Sequence, residues 1–147
     1  ITYSVKRLKE KKLMSTIHNC KILSIPKIED PRGNLSVIEN DVIPFDIKRV
    51  YYLYDVPSSA KRGGHAHKDQ LEFLIALSGS FDVVLNDGKS IQKVTLNKPN
   101  KGLLIKTNIW RELDSFSSGA VCLVLNSDVF LEDDYIRDFN AFLENCK

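Results

Sequence analysis

The chain of 147 residues has no Pro/Gly/Ser-rich linker in its middle, and its 43% hydrophobic and 27% charged content fits a soluble globular protein with one core. Nothing approaches the run of about 18 apolar residues that a membrane span requires, so no membrane association is expected. A formal net charge of +2 is too weak a field for a polyanion, so nucleic acid is not an expected partner, and an anionic ligand has to be gripped by individual Arg and Lys side chains.

Residues 1–13 carry a basic run, Lys6 to Lys12, with neither an apolar stretch nor a small-residue cleavage site, which argues against a secretory signal. Met14 reads as the natural start. The expectation is an N-terminal tag or upstream tail over 1–13 and a single domain over 14–147. From Cys20 onward, short β-branched and aromatic segments alternate with turn signals, predicting strands near 20–25, 34–39, 48–54, 71–77, 80–86, 91–95, 102–106, 109–113 and 120–127. Turns fall at "DPRGN" (30–34), "LSGS" (77–80) and "NDG" (86–88). This is the pattern of an all-β sandwich or barrel. Helical spacing occurs only in "DDYIRDFNAFLENC" (133–146), through Tyr135, Ile136, Phe139 and Phe142, and the acids Glu132, Asp133 and Asp134 read as the start of that helix. Cys20, Cys122 and Cys146 lack CxxC spacing, and Cys122 sits in the apolar "AVCLVLN", so free thiols in a reducing, cytoplasmic compartment are expected.

"RGGHAHK" (62–68) carries the chemistry. On a strand, His65 and His67 point the same way and Ala66 the other, so the imidazoles share one space, entered through a turn at Gly63 and Gly64. Such a pair serves as a metal clip, a proton-transfer site, or two surface residues. Glu72 extends the spacing to H-x-H-x4-E, which is similar to the first motif of the cupin superfamily, small jelly-roll barrels in which two His and one Glu commonly bind a divalent metal. In the stretch matching the second cupin motif, "GLLIKTNIWRELDSF", Arg111 stands where a fourth ligand is usual. A guanidinium keeps its charge at any relevant pH and repels a divalent ion at ligand distance, so no metal is expected unless Arg111 turns away.

The segments "DPRGNLSVIE" (30–39), "IPFDIKRVYYLYDVP" (43–57), "RGGHAHKDQLEFLIALSGSFDVVLNDG" (62–88), "IWRELDSFSSGAVCLVLNSD" (109–128) and "DYIRDFNAF" (134–142) resemble the dTDP-sugar 3,4-ketoisomerases of the WxcM-like sugar cupin group. The resemblance implies a cupin-type jelly-roll barrel with a short C-terminal helix, acting as a homodimer without metal or other cofactor. The implied substrate is dTDP-4-keto-6-deoxy-D-glucose, converted to a dTDP-3-keto-6-deoxyhexose. It also implies Gln at the place of Glu72, so that Glu72 is a local replacement with no need to face the interior.

Moving a ketone from C4 to C3 means removing the C3 proton, holding an enediolate and protonating C4, which suits histidine at neutral pH. By resemblance His65 is the base and Tyr51 the shuttle to C4, while His67, on the same strand face, is either the partner that donates to an oxygen or the residue that orients and tunes His65. Strand alternation sets Arg49, Tyr51 and Leu53 on one face. Arg32, Arg49, Arg62 and Arg111 are the expected cations for the diphosphate or enediolate; Trp110 reads as core. The competing expectations are a metal-dependent cupin enzyme using His65, His67 and Glu72, and a non-catalytic sugar-binding cupin module.

Overall fold

The computed structural model describes residues 14–147, and the tag or tail expected over 1–13 lies outside the described residues. A 3-10 turn, Ile17–Asn19, leads into β1 (Lys21–Ser24) and a two-residue ladder of β2 (Lys27–Ile28) with β3 (Leu35–Ser36) across the 30–34 turn. The strand expected over 34–39 is therefore much shorter. The remaining strands are β4 (Arg49–Leu53), β5 (Arg62–His67), β6 (Glu72–Ser78), β7 (Phe81–Asn86), β8 (Ile91–Leu96), β9 (Lys101–Ile105), β10 (Trp110–Asp114), β11 (Val121–Asn126) and β12 (Tyr135–Ile136). The chain ends in α1 (Phe139–Asn145).

Two five-stranded sheets form, ordered β1-β9-β6-β11-β4 and β12-β5-β10-β7-β8, with every pairing antiparallel. This is the expected jelly roll. Leu74, Ala76, Leu103, Ile105, Cys122 and Val124 from the first sheet meet Phe81, Val83, Leu85, Leu96 and Leu113 from the second in one core. Period-two alternation selects those residues, because on each strand they are the inward set. β6 is buried on its outer face too: Phe73 and Ile75 pack with Ile25, Ile43, Leu104 and Leu125 under the 25–47 segment. Its uninterrupted apolar run follows from being covered on both sides.

The predicted C-terminal helix over 133–146 is corrected in its first half. Glu132–Asp134 is a 3-10 turn, and Tyr135 and Ile136 pair with His67 and Ala66 as an edge strand. The helix starts at Phe139, where the Asp138 carboxylate caps it by accepting from Ala141 N at 2.8 Å. Ile136 and Phe142 bury against Ala66 and Trp110 from a strand and a helix respectively, so one apolar patch produced a spacing that mimicked a single helix. Trp110 is core as expected: its ring meets Phe139 and Phe142 at 5.3 and 5.8 Å, on the face of β10 away from Arg111.

Candidate active site

At one end of the barrel the inward positions turn polar. β6 brings Glu72 opposite Asn126 of β11, and β10 brings Arg111 opposite His65 of β5. The glycine pair does not turn the chain into β5; it lies inside the strand. Gly63, with φ of +77°, forms a bulge that sets Arg62 against Leu113 while His65 stays against Arg111. A side chain at Gly63 would also press on Leu113 at 3.0 Å. The bulge adds one residue to the strand, so Arg62 and His65 both pair with inward residues of β10 despite their odd separation.

His65 and His67 converge as the alternation predicts: their Nε2 atoms are 3.1 Å apart and their rings are nearly perpendicular. Tyr135 packs on both rings, with centroids 5.0 and 4.4 Å away, and its hydroxyl accepts from Arg49 Nη1 at 3.1 Å. Glu72 is the hub. It is 1% exposed, and Oε1 accepts from Arg111 Nη1 while lying 3.6 Å from His65 Nε2 and 3.3 Å from His67 Nε2. Oε2 accepts from the Tyr51 hydroxyl at 2.9 Å and from Asn126 Nδ2 at 3.0 Å. The expectation that Glu72 need not face the interior is thus overturned, because position 72 falls on the same inward face as Leu74 and Ala76.

This network sets the protonation states. Burial pushes the Glu72 carboxyl up, but the Arg111 guanidinium and the two imidazoles outweigh it and hold the group well below the usual carboxylate range. Burial, opposed by the hydrogen bond to Glu72, lowers His65 below its ordinary 6.5, so its ring is neutral at neutral pH. Burial first, and then the Glu72 charge, raises the Tyr51 hydroxyl above its ordinary 10, so Tyr51 is a phenol that donates.

The three ligand atoms of His65, His67 and Glu72 lie within 4.8 Å of one another, close enough for a divalent ion. The donor set nevertheless does not fit one. Arg111 does not turn away: it is 1% exposed, its charge is on the Glu72 oxygen a metal would need, and its Nη2 donates to Ile109 O at 2.9 Å. A fixed cation already occupies the cation's place.

The other expected residues separate. Arg49 reaches the site, stacked over Tyr51 at 4.7 Å and Phe130 at 5.1 Å. Arg62 is exposed and lines a hollow of about 330 Å³ with Tyr52, Tyr54 and Pro57. Arg32 is in the exposed 30–33 turn with its guanidinium on Asp30, at 2.8 Å from Nε, and is not brought to the histidines. Two residues that sequence reasoning missed complete the cluster. Asn126 holds Glu72, and Asp134, expected at a helix start, is instead buried with Oδ2 at 2.9 Å from His67 Nδ1. A surface hollow of about 620 Å³ behind Asp134 is lined by Asp69, Asp128, Glu132 and Asp133, and its negative charge makes it no seat for a diphosphate.

Residues 18–147 match the family model described as FdtA, WxcM-like, C-terminal. A curated relative, the TDP-4-oxo-6-deoxy-alpha-D-glucose-3,4-oxoisomerase of Aneurinibacillus thermoaerophilus, is 46% identical over 123 residues, which are 83% of this chain and 88% of the relative. The TDP-quinovose 3,4-ketoisomerase of Campylobacter jejuni is similar at 50% identity and a TM-score of 0.82, over 86% of this chain and 98% of that one. A His-to-Asn variant of the 3,4-ketoisomerase from Thermoanaerobacterium thermosaccharolyticum, solved with TDP-4-keto-6-deoxyglucose, is similar at 37% identity and a TM-score of 0.87, over 89% and 96% of the two chains.

Proposed function

The chain belongs to the FdtA family of WxcM-like, C-terminal type and is a TDP-sugar 3,4-ketoisomerase, and we propose that His65, His67 and Tyr51 carry its proton transfers. The observation that supports this most strongly is a pair of imidazoles, 3.1 Å apart, beside a guanidinium–carboxylate pair that takes the place of a metal. The substrate on this reading is dTDP-4-keto-6-deoxy-D-glucose.

His65 takes the C3 proton, leaving an enediolate across C3 and C4. Arg111 and Arg49 supply the positive charge near it. C4 is then protonated, the O3 proton leaves, and O3 becomes the carbonyl oxygen, so the net change is one proton moved from carbon to carbon and one from oxygen to oxygen. Tyr51 is suited to the C4 step as a shuttle: its raised pKa makes a standing phenolate costly beside Glu72, so it gives one proton as it takes another. Arg62 and Arg32, both exposed, are the cations assigned to the diphosphate.

The working form on this proposal is a homodimer in the cytoplasm. In support, β1 and β4 are the edges of their sheet, and they leave Ile22, Val50 and Tyr52 exposed, which a second copy would cover. Cys20, Cys122 and Cys146 are free thiols, which suits a reducing compartment. Among the described residues no helix is long and apolar enough to cross a membrane. Sedimentation at micromolar concentration tests the dimer, and a monomer there removes it.

The decisive experiment follows deuterium at C3 and product formation by NMR in deuterated water. With His65→Asn, nucleotide binding persists while exchange and isomerisation fall by about a hundredfold or more. With Tyr51→Phe, C3 exchange continues while product formation slows. Wild-type exchange in the His65→Asn protein would take the base role from His65.

A further inference from the structure

We propose that Asp134 is a positioning residue that selects the tautomer of His67 and, through it, the atom with which His65 accepts a proton. The inference rests on His65 as the base.

The carboxylate of Asp134 is tied down on all sides. Oδ1 accepts from Asp69 N at 2.7 Å, Oδ2 accepts from Gln70 N at 3.3 Å, and the main-chain oxygen accepts from Lys68 N at 2.9 Å. The 132–134 turn is thereby clamped to the segment that follows His67. An ionised carboxylate accepts and never donates, so the 2.9 Å contact between Oδ2 and His67 Nδ1 requires the proton on Nδ1. On this proposal that is the one proton the ring carries at rest, and its lone pair sits on Nε2, which faces His65 Nε2 at 3.1 Å. One proton fits between those two nitrogens, and it belongs to His65. His65 is therefore the Nε2–H tautomer, with Nδ1 as its basic atom.

The same chain of contacts handles the charge that the reaction creates. When His65 Nδ1 receives the C3 proton, the proton on its Nε2 can cross 3.1 Å to His67 Nε2. The resulting imidazolium on His67 is paired with Asp134 on one side and lies 3.3 Å from Glu72 Oε1 on the other. Reversal of the same two transfers returns the proton. Glu72 alone serves less well, because Arg111, Tyr51 and Asn126 already draw on its charge.

Nitrogen-15 NMR of the imidazoles tests this without turnover, and assignment is simple because the chain has three histidines, of which His18 is exposed. Wild-type His67 is expected as the Nδ1–H tautomer. Asp134→Asn gives the informative variant: its amide oxygen keeps the Asp69 N–H, which turns the NH2 toward His67 Nδ1 and forces the proton to Nε2. His65 is then driven to its Nδ1–H form and its basic atom is blocked. C3 exchange should fall by about a hundredfold or more, the penalty for a wrong tautomer reaching about 10⁴ in a catalytic Asp–His pair. The substrate KM should stay within about threefold, and Asp134→Glu should recover part of the rate. A wild-type His67 protonated at Nε2, or an Asp134→Asn protein with a switched tautomer and near-normal exchange, overturns the proposal. Should Asp134→Asn not fold, the wild-type tautomer decides alone. Loss of the base assignment itself shows separately, as continued exchange in His65→Asn.

Discussion

Along β6 the inward side chains run Glu72, Leu74, Ala76, and along β11 they run Asn126, Val124, Cys122; one alternation thus lines two unlike interiors. At the histidine end lie a carboxylate, a guanidinium, an amide and two imidazoles. At the other end Phe81 stacks on Phe116 at 5.1 Å beside Leu113 and Ala120. The apolar end stabilises the barrel with side chains that need only fit. The polar end holds groups whose burial is costly, and it keeps them by connecting nearly every one to another. Stability at that end is therefore collective, whereas at the other it is nearly local.

The sharpest break of this contrast uses Glu72 and Arg111. Removing either partner, by Glu72→Leu or Arg111→Met, strands a buried charge and should cost about 3–5 kcal/mol, read as a lower urea midpoint. Combining the two should recover roughly half or more of that loss, since the pair leaves together. A double variant as unstable as the sum of the singles would refute the collective picture. Phe81→Ala at the opposite end should cost about 3–5 kcal/mol as well, through lost packing and a cavity. No second charge deletion should rescue it, and the C3 exchange rate per folded molecule should stay at the wild-type level.

A smaller effect separates the ends by pH. His65 has a folded pKa below its ordinary 6.5, so under acid the unfolded chain binds its proton first. Its contribution to stability is intact above about pH 6.5 and is lost as pH falls toward the folded value, at up to about 1.4 kcal/mol per pH unit. Glu72 adds to the loss only below its ordinary 4.5, because its folded pKa is depressed and the unfolded carboxyl protonates first. Urea titrations of wild type and His65→Asn between pH 7 and about pH 5 should differ in slope, and Phe81→Ala should follow wild type. The smallest effect is expected at Arg32, whose exposed pair with Asp30 belongs to neither end. Arg32→Ala should leave the melting temperature unchanged while weakening TDP binding; unchanged binding removes Arg32 from the diphosphate site.

Much of this was legible from local pattern. Period-two alternation sets His65 and His67 on one face and Arg49, Tyr51 and Leu53 on another, and turn residues separate the strands, all of it from residues a few places apart; Arg111, 39 positions from Glu72, argues against a metal only through the motif its stretch resembles. The identities of these segments also carry the family. What local pattern did not reach are contacts made across many residues. Asp134 lies 67 positions from His67, and Asn126 lies 54 from Glu72. The acids at 132–134 suit a helix start just as well, and a helical spacing emerged from a strand and a helix covering one patch. The inward turn of Glu72, its pairing with Arg111 and the capture of Asp134 depend on strand register and on which elements close over the barrel end. Only the tertiary structure decides these, because a side chain's periodicity states which face it takes but not what stands opposite.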